Sequence, residues 1–262
     1  MNVKSAWVLS FLFLLLLSVK ADAQSDVYQL SWKKELPLLA AGLGMNIWSY
    51  ATQAGWEEST AADFAALNQD DVWSFDRSAI DNISPNAKTI SDIILYSSAT
   101  YPILTYFTDN CRCEGIDVAV LALETLVLVN GVTEVAKTLG KRYRPFTYRP
   151  EVPLEEKLSK NSRKSFFSGH TSVTAAMSVF TAKVFIDLHP HWKYRNLFLV
   201  PALLLPASIG YFRYRAGKHF PSDVIVGYFA GAAVGYLVPA IHKQKRLSVI
   251  PTTNSLMLLY QF

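Results

Sequence analysis

The chain has 262 residues, 51% hydrophobic and 13% aromatic, with only 18% charged and a formal net charge of +4. That balance is too apolar for an ordinary soluble domain, yet milder than a chain made wholly of lipid-facing helices. The length suffices for one domain with a sizeable core, and the absence of any long basic run argues against nucleic acid as a partner.

Met1–Ala23 reads as a secretory signal: Lys4, an apolar core over Val8–Leu17, then the small residues of Ala21-Asp22-Ala23 where a signal peptidase cuts. An uncleaved anchor helix is the alternative. Leu36–Ala51 is apolar and long enough for a helix, with Gly42 and Gly44 suited to close packing. Gln53–Lys88 is polar. Thr60-Ala-Ala-Asp63 forms a helix-starting cap, and Asp70, Asp71 and Asp76 alternate with Trp73 and Phe75. This segment reads as surface, either at a membrane interface through Trp56, Trp73 and Phe75 or as a partly buried loop.

Ile90–Phe107 is the second apolar helix and Ile116–Ala136 the third, the latter carrying Glu124 and Glu134. A carboxylate in such a helix must face other helices or a cation, and Glu134 shares a helical face with Lys137. Cys111 and Cys113 are one residue apart, poorly placed to bridge each other, and read as two loop thiols. Phe146–Lys164 is a proline-bearing loop whose Arg163 and Lys164 add positive potential, while Arg149 reads as solvated charge. Thr171–Leu188 carries small residues suited to close helix packing and is followed by His189 and His191, read as loop residues. Asn196–Phe212 and Val224–Ile241 have near the length needed to cross a bilayer. His242–Arg246 is a basic stop, and Leu247–Phe262 is strand-like, with Pro251 and Asn254 at a turn.

Three clusters sit at the ends of these apolar runs. Lys137 and Arg144 are seven apart in KTLGKRYRP. Ser168-Gly169-His170 opens the Thr171 helix. Arg213, His219 and Asp223 fall within RYRAGKHFPSD. If those ends meet, they make an anion site, because unpaired charge at the mouth of apolar helices is otherwise costly. The order and spacing resemble the three signature motifs of the type 2 phosphatidic acid phosphatase superfamily, which also holds bacterial non-specific acid phosphatases and vanadium haloperoxidases. The resemblance spans Ile116–Ile241. Two support positions depart from the family pattern: Phe167 stands where proline usually precedes Ser-Gly-His, and Phe212 where serine usually precedes the arginine.

Lys137, Arg144 and Arg213 would hold a phosphate's charge, with Ser168 and the Gly169 amide adding donors at a helix N-terminus. The resemblance implies that His219 is a nucleophile forming a phosphohistidine. It implies that Asp223 accepts a hydrogen bond from the other ring nitrogen, and that His170 is the general acid and then the base. No Asp/His cluster with metal-ligand spacing is present, and no metal or cofactor is expected.

The expected fold is all-α, a membrane-embedded bundle of about six core helices with the motifs at one end. Residues 24–246 would form the phosphatase domain, with motifs in 137–223, and 247–262 a short tail. The expected substrate is a phosphorylated lipid: phosphatidic acid, phosphatidylglycerol phosphate, undecaprenyl diphosphate or a lipid A phosphate. The site would face the periplasm from a bacterial inner membrane, with Leu36–Ala51 packing on the bundle or lying in the outer interface rather than crossing. Alternatives are a soluble periplasmic acid phosphatase, a vanadium haloperoxidase, or a phosphate-lipid binder without catalysis. The sequence does not fix the oligomeric state.

Overall fold

The computed structural model describes residues 27–108, 114–244, 246–252 and 255–261. The expected signal segment Met1–Ala23 and the thiols of Cys111 and Cys113 lie outside them. Among the described residues, six long helices build an all-helical bundle: α1 (Trp32–Ala54), α2 (Pro85–Thr100), α3 (Gly115–Gly140), α4 (Gly169–Leu188), α5 (Leu199–Arg215) and α6 (Pro221–His242). Beyond α6, β1 (Arg246–Thr252) and β2 (Ser255–Gln261) pair antiparallel from Arg246 with Gln261 to Thr252 with Ser255. Pro251 lies within β1, paired with Leu256, rather than at the expected turn, and Asn254 lies outside the described residues.

The central helix is α4, which packs against α2, α3, α5 and α6, while α1 lies along α3. Small residues let these helices approach closely. On α6, Gly227, Gly231 and Gly235 recur every fourth residue and face α4. A Cβ at Gly231 would sit 2.0 Å from the Ser172 carbonyl oxygen, and one at Gly235 would sit 2.2 Å from that of Ala176. No side chain fits there, so the glycine stripe fixes how far α6 sits from α4. The α1–α3 contact works the same way at Gly42 and Gly131, and Asn46 Nδ2 donates to the Gly42 and Val127 carbonyls (2.8 and 3.0 Å). Gly44, by contrast, faces open space.

The second apolar segment differs from its expected form. Its helix starts at Pro85, capped by Ser84, and gives way after Thr100 to a 3-10 turn over Tyr101–Phe107. Pro102 has no amide to continue the α-helical ladder, so the run does not form one helix from Ile90 to Phe107.

Among the described residues, four segments are long and apolar enough to cross a membrane: Gly115–Tyr148, Gly169–Leu188, Arg195–Arg215 and Pro221–His242. Helix α1 is outside this set. Large apolar side chains such as Leu203, Leu204, Phe229 and Leu237 point outward from α5 and α6, as a lipid-facing surface requires.

The bundle has two apolar cores. One, at the end away from the motifs, gathers Tyr28, Val118, Leu121, Phe180, Val184, Leu188 and Val238. The other packs Val72, Ala79 and Ile80 on Phe220 beside the motifs. The polar segment after α1 therefore caps the motif end of the bundle. Trp56 is buried there under Lys141, Arg163 and Lys164, whereas Trp73 and Phe75 stay exposed against each other.

Candidate active site

The alternating direction of the helices carries the C-termini of α3 and α5 and the N-termini of α4 and α6 to one end. The three sequence clusters meet there. Lys141 takes a left-handed conformation (φ 42°) as it ends α3, its amide donating to the Lys137 carbonyl (3.1 Å), and the chain turns back across the bundle toward Arg142 and Arg144. Gly217 turns the chain between α5 and α6 at φ 64°, where a Cβ would lie 2.1 Å from the Asn82 carbonyl oxygen. That position needs glycine on both conformational and steric grounds.

His219 is buried, and its Nδ1 donates to the Ser165 carbonyl oxygen at 2.7 Å. A carbonyl only accepts, so the proton sits on Nδ1 and Nε2 keeps its lone pair. This departs from the expected His219–Asp223 hydrogen bond. Asp223 Oδ2 lies 3.8 Å from Nδ1 and instead accepts from Ser165 Oγ (2.6 Å) and the Phe220 amide (2.9 Å). Its Oδ1 accepts from Arg142 (2.6 Å). Asp223 thus holds the loop residue whose carbonyl holds His219. Burial pushes His219 well below the ordinary histidine range, and the nearby positive charges of Arg144, Arg213 and Lys137 push the same way.

Those cations surround the ring from three elements. Lys137 Nζ pairs with Glu134 Oε1 at 2.7 Å and sits over Gly169, 3.1 Å from where a Cβ would be. Arg144 is buried, donating to the Asn161 carbonyl (2.9 Å), Asn161 Oδ1 (3.0 Å) and the Lys218 carbonyl (3.4 Å). All three acceptors are neutral. Arg213 is buried as well, 3.5 Å from Asp92 and 3.4 Å from Ser91 Oγ, and its Nε has no partner among the described residues. Ser168 caps α4, its Oγ accepting from Thr171 Oγ1 at 2.9 Å, so its hydroxyl hydrogen is its remaining donor. His170, in the first turn of α4, donates through Nε2 to Asp92 Oδ1 at 2.7 Å.

Four functional positions escaped the sequence reading. Asp92, the single charged residue of Ile90–Phe107, reaches both His170 and Arg213 from α2. Arg142, inside the first cluster, ties Asp223 to the buried Asp76, and Asp76 in turn accepts from the Ser222 amide (2.9 Å) and hydroxyl (2.6 Å). Gln53, at the end of α1, donates to Glu134 Oε2 (3.0 Å) and accepts from Lys164 (2.5 Å). Burial pushes the Lys164 ammonium below its ordinary value. The cue for Asp92 was a lone carboxylate in an apolar run. The cue for Arg142 was a second arginine beside the motif pair. Gln53 carried none.

The described residues also contain one cluster of metal-ligating groups, Glu35, Glu124 and His242, which the sequence reading did not see because its members lie far apart in the chain. It belongs to the end of the bundle opposite the motifs.

A helical bundle that closes one end around a buried histidine, a second histidine and three cations offers an arrangement suited to holding an anion. Residues 118–247 match the family model of the PAP2 superfamily, and the chain belongs to that superfamily. That membership supports phosphatase activity in general terms. No curated protein matches the chain. Among solved structures, the chain is similar to a transmembrane PAP2-type phosphatidylglycerolphosphate phosphatase from Bacillus subtilis. The identity is 20% and the TM-score 0.44, over 77% of this chain and 96% of that one.

Proposed function

We propose that the chain is a metal-independent lipid-phosphate phosphatase working through a phosphohistidine on His219. The observation that carries this reading is the lone-paired Nε2 of a buried, neutral His219 among Lys137, Arg144 and Arg213, with Arg213 Nε lacking a partner among the described residues. A dianionic phosphate supplies what those cations lack, and fixed charges bind the transition state without reorganising.

In the first step Nε2 attacks phosphorus in line, and the bond to the leaving oxygen breaks. The leaving oxygen takes its proton from Nδ1–H of a protonated His170, whose Nε2–H is held by Asp92. The ring becomes cationic, and Ser165 keeps its hold on Nδ1–H while the Asp223 carboxylate stabilises the charge from 3.8 Å. In the second step water gives a proton to His170 and attacks phosphorus. Inorganic phosphate leaves and Nε2 regains its lone pair.

A lipid substrate is favoured by an apolar groove of about 440 Å³ between α2 and α5, lined by Ile93, Ile94, Tyr101, Ile103 and Leu205. The groove begins at the residue after Asp92, so an acyl chain lying in it would present its phosphate to the site. We also place the site on the periplasmic side. Lys193, Arg195 and Lys243 lie at the opposite end, and positive charge favours the cytoplasm.

The test is phosphate release by the detergent-purified chain from phosphatidic acid, phosphatidylglycerol phosphate, undecaprenyl diphosphate and soluble glycerol phosphate. Faster release from at least one lipid, blocked by vanadate, is expected, because vanadate adopts the five-coordinate shape of the transition state. Equal rates on glycerol phosphate would replace the lipid reading with a general acid phosphatase. Release that requires an added divalent ion would overturn the mechanism.

A further inference from the structure

The end of the bundle away from the motifs holds a second polar cluster that the proposed phosphatase reaction does not use. Glu35 sits in the first turn of α1, Glu124 lies within α3, and His242 is the last residue of α6. Glu124 and His242 are fully buried, and the Glu35 side chain is 14% exposed. His242 Nδ1 donates to the Val238 carbonyl oxygen at 2.8 Å, which directs Nε2 at the two carboxylates. Nε2 lies 3.3 Å from Glu35 Oε1 and 3.6 Å from Glu124 Oε2.

Hydrogen bonding does not account for this arrangement. A neutral His242 turns a lone pair toward two carboxylates. A protonated one would split a single N–H between acceptors at 3.3 and 3.6 Å, too long for good bonds. Four buried atoms have no hydrogen-bond partner among the described residues: Glu35 Oε1, both Glu124 carboxylate oxygens and His242 Nε2. Burying one such group costs about 1–3 kcal/mol, and charged ones more. The neighbouring cations are engaged elsewhere. Lys34 donates to the Ile241 carbonyl (3.0 Å) and Lys243 to Asp187 (2.8 Å).

A cation at the centre resolves all four atoms at once. A tetrahedral ion with bonds of about 2.0–2.1 Å sets its ligand atoms roughly 3.3–3.4 Å apart. The two separations from Nε2 are close to that spacing, and one ligand atom from each residue falls within 4.8 Å of the others. The main-chain acceptor on Nδ1 is the support that metal-bound imidazoles ordinarily have. Two carboxylates also balance a divalent charge.

We propose that Glu35, Glu124 and His242 bind a divalent transition-metal ion of the zinc class, with Glu124 able to supply both oxygens. The site is structural. It pins the start of α1 and the end of α6 to α3, and its three protein ligands come from three helices. It is separate from the phosphate site and stands whether or not that site is a lipid phosphatase.

The experiment uses the full chain in detergent, without a histidine tag. The protein is stripped with chelator, incubated with zinc chloride, freed of unbound metal by gel filtration and analysed for elements. One zinc per chain is expected in the wild type and background zinc in Glu124→Gln and His242→Ala, with a zinc-dependent rise in melting temperature in the wild type alone. Should the variants fail to fold, competition with a chromophoric chelator on the wild type still decides, and a submicromolar dissociation constant is expected. Wild type that elutes without zinc, or Glu124→Gln that retains it, overturns the proposal and leaves a shared proton in the cluster. Phosphate release, assayed well below the melting temperature, should be the same with and without zinc.

Discussion

His219 and His170 divide the chemistry, and their substitutions should separate accordingly. His219→Ala should release no phosphate above background from any substrate, since no covalent intermediate forms. His170→Ala should lose about 10²–10⁴-fold on an alkyl phosphate and far less on an aryl phosphate with a good leaving group, which needs little proton donation. Asp92→Asn should show the same dependence on leaving group at a smaller amplitude, because Asp92 acts through His170. A uniform loss across leaving groups would instead make Asp92 a structural residue. His219 also predicts a pH effect on stability. It stays neutral in the fold, whereas in the unfolded chain it takes up a proton below about pH 6.5. The unfolded state then binds more protons, so stability falls as pH drops through about 6.5 toward the depressed folded value. The melting temperature should decline between about pH 7.5 and about pH 5.5, and the decline should be shallower in His219→Gln. The sequence made both histidines visible, because each belongs to a compact motif. It misplaced the partner of His219, since a main-chain carbonyl such as that of Ser165 leaves no mark in a pattern of side chains.

At the scale of elements, glycine sets the geometry. Gly231→Ala would place a Cβ 2.0 Å from the Ser172 carbonyl oxygen, which is main chain and cannot swing aside. It should cost about 1–3 kcal/mol or more as overpacking, and by shifting α6 against α4 it should lower phosphate release with it. Gly44→Ala is the control. Its Cβ would meet nothing within 4 Å, so it should stabilise α1 by about 0.5–1 kcal/mol. Thermal melts of the two variants side by side distinguish close approach from helix propensity. The helices themselves were legible from apolar run length, and α4 also from its small residues. What a list of apolar runs does not convey is which glycine faces a neighbour, because Gly42 and Gly44 look alike until α3 lies beside one of them. The break at Tyr101 was available in Pro102, but a uniformly apolar run concealed it.

For the whole molecule the prediction concerns orientation. A cysteine replacing Gln69, and another in the Pro150–Ser159 loop, each in a background with Cys111 and Cys113 changed to serine, should both react with an impermeant thiol reagent in intact spheroplasts. Labelling of the first without the second would overturn a periplasmic site, because both segments belong to the same capped end of the bundle. The overall plan was legible because three motifs at helix ends can meet only if the helices alternate in direction. The opposite end was not, because Glu35, Glu124 and His242 come from three distant parts of the chain and His242 reads locally as part of a basic stop.

That opposite end also joins the two extremities of the bundle. Tyr28 bridges Lys243, the Gln29 amide donates to the His242 carbonyl (2.9 Å), and the Gln244 amide donates to the Val27 carbonyl (2.9 Å). Synthesis delivers these partners at opposite times. The segment before α1 leaves the ribosome early and must wait for the end of α6 before its main chain is satisfied, and the same last helix brings Asp223. A chain cut short before α6 therefore leaves the main-chain groups of Val27 and Gln29 without these partners and the site without Asp223.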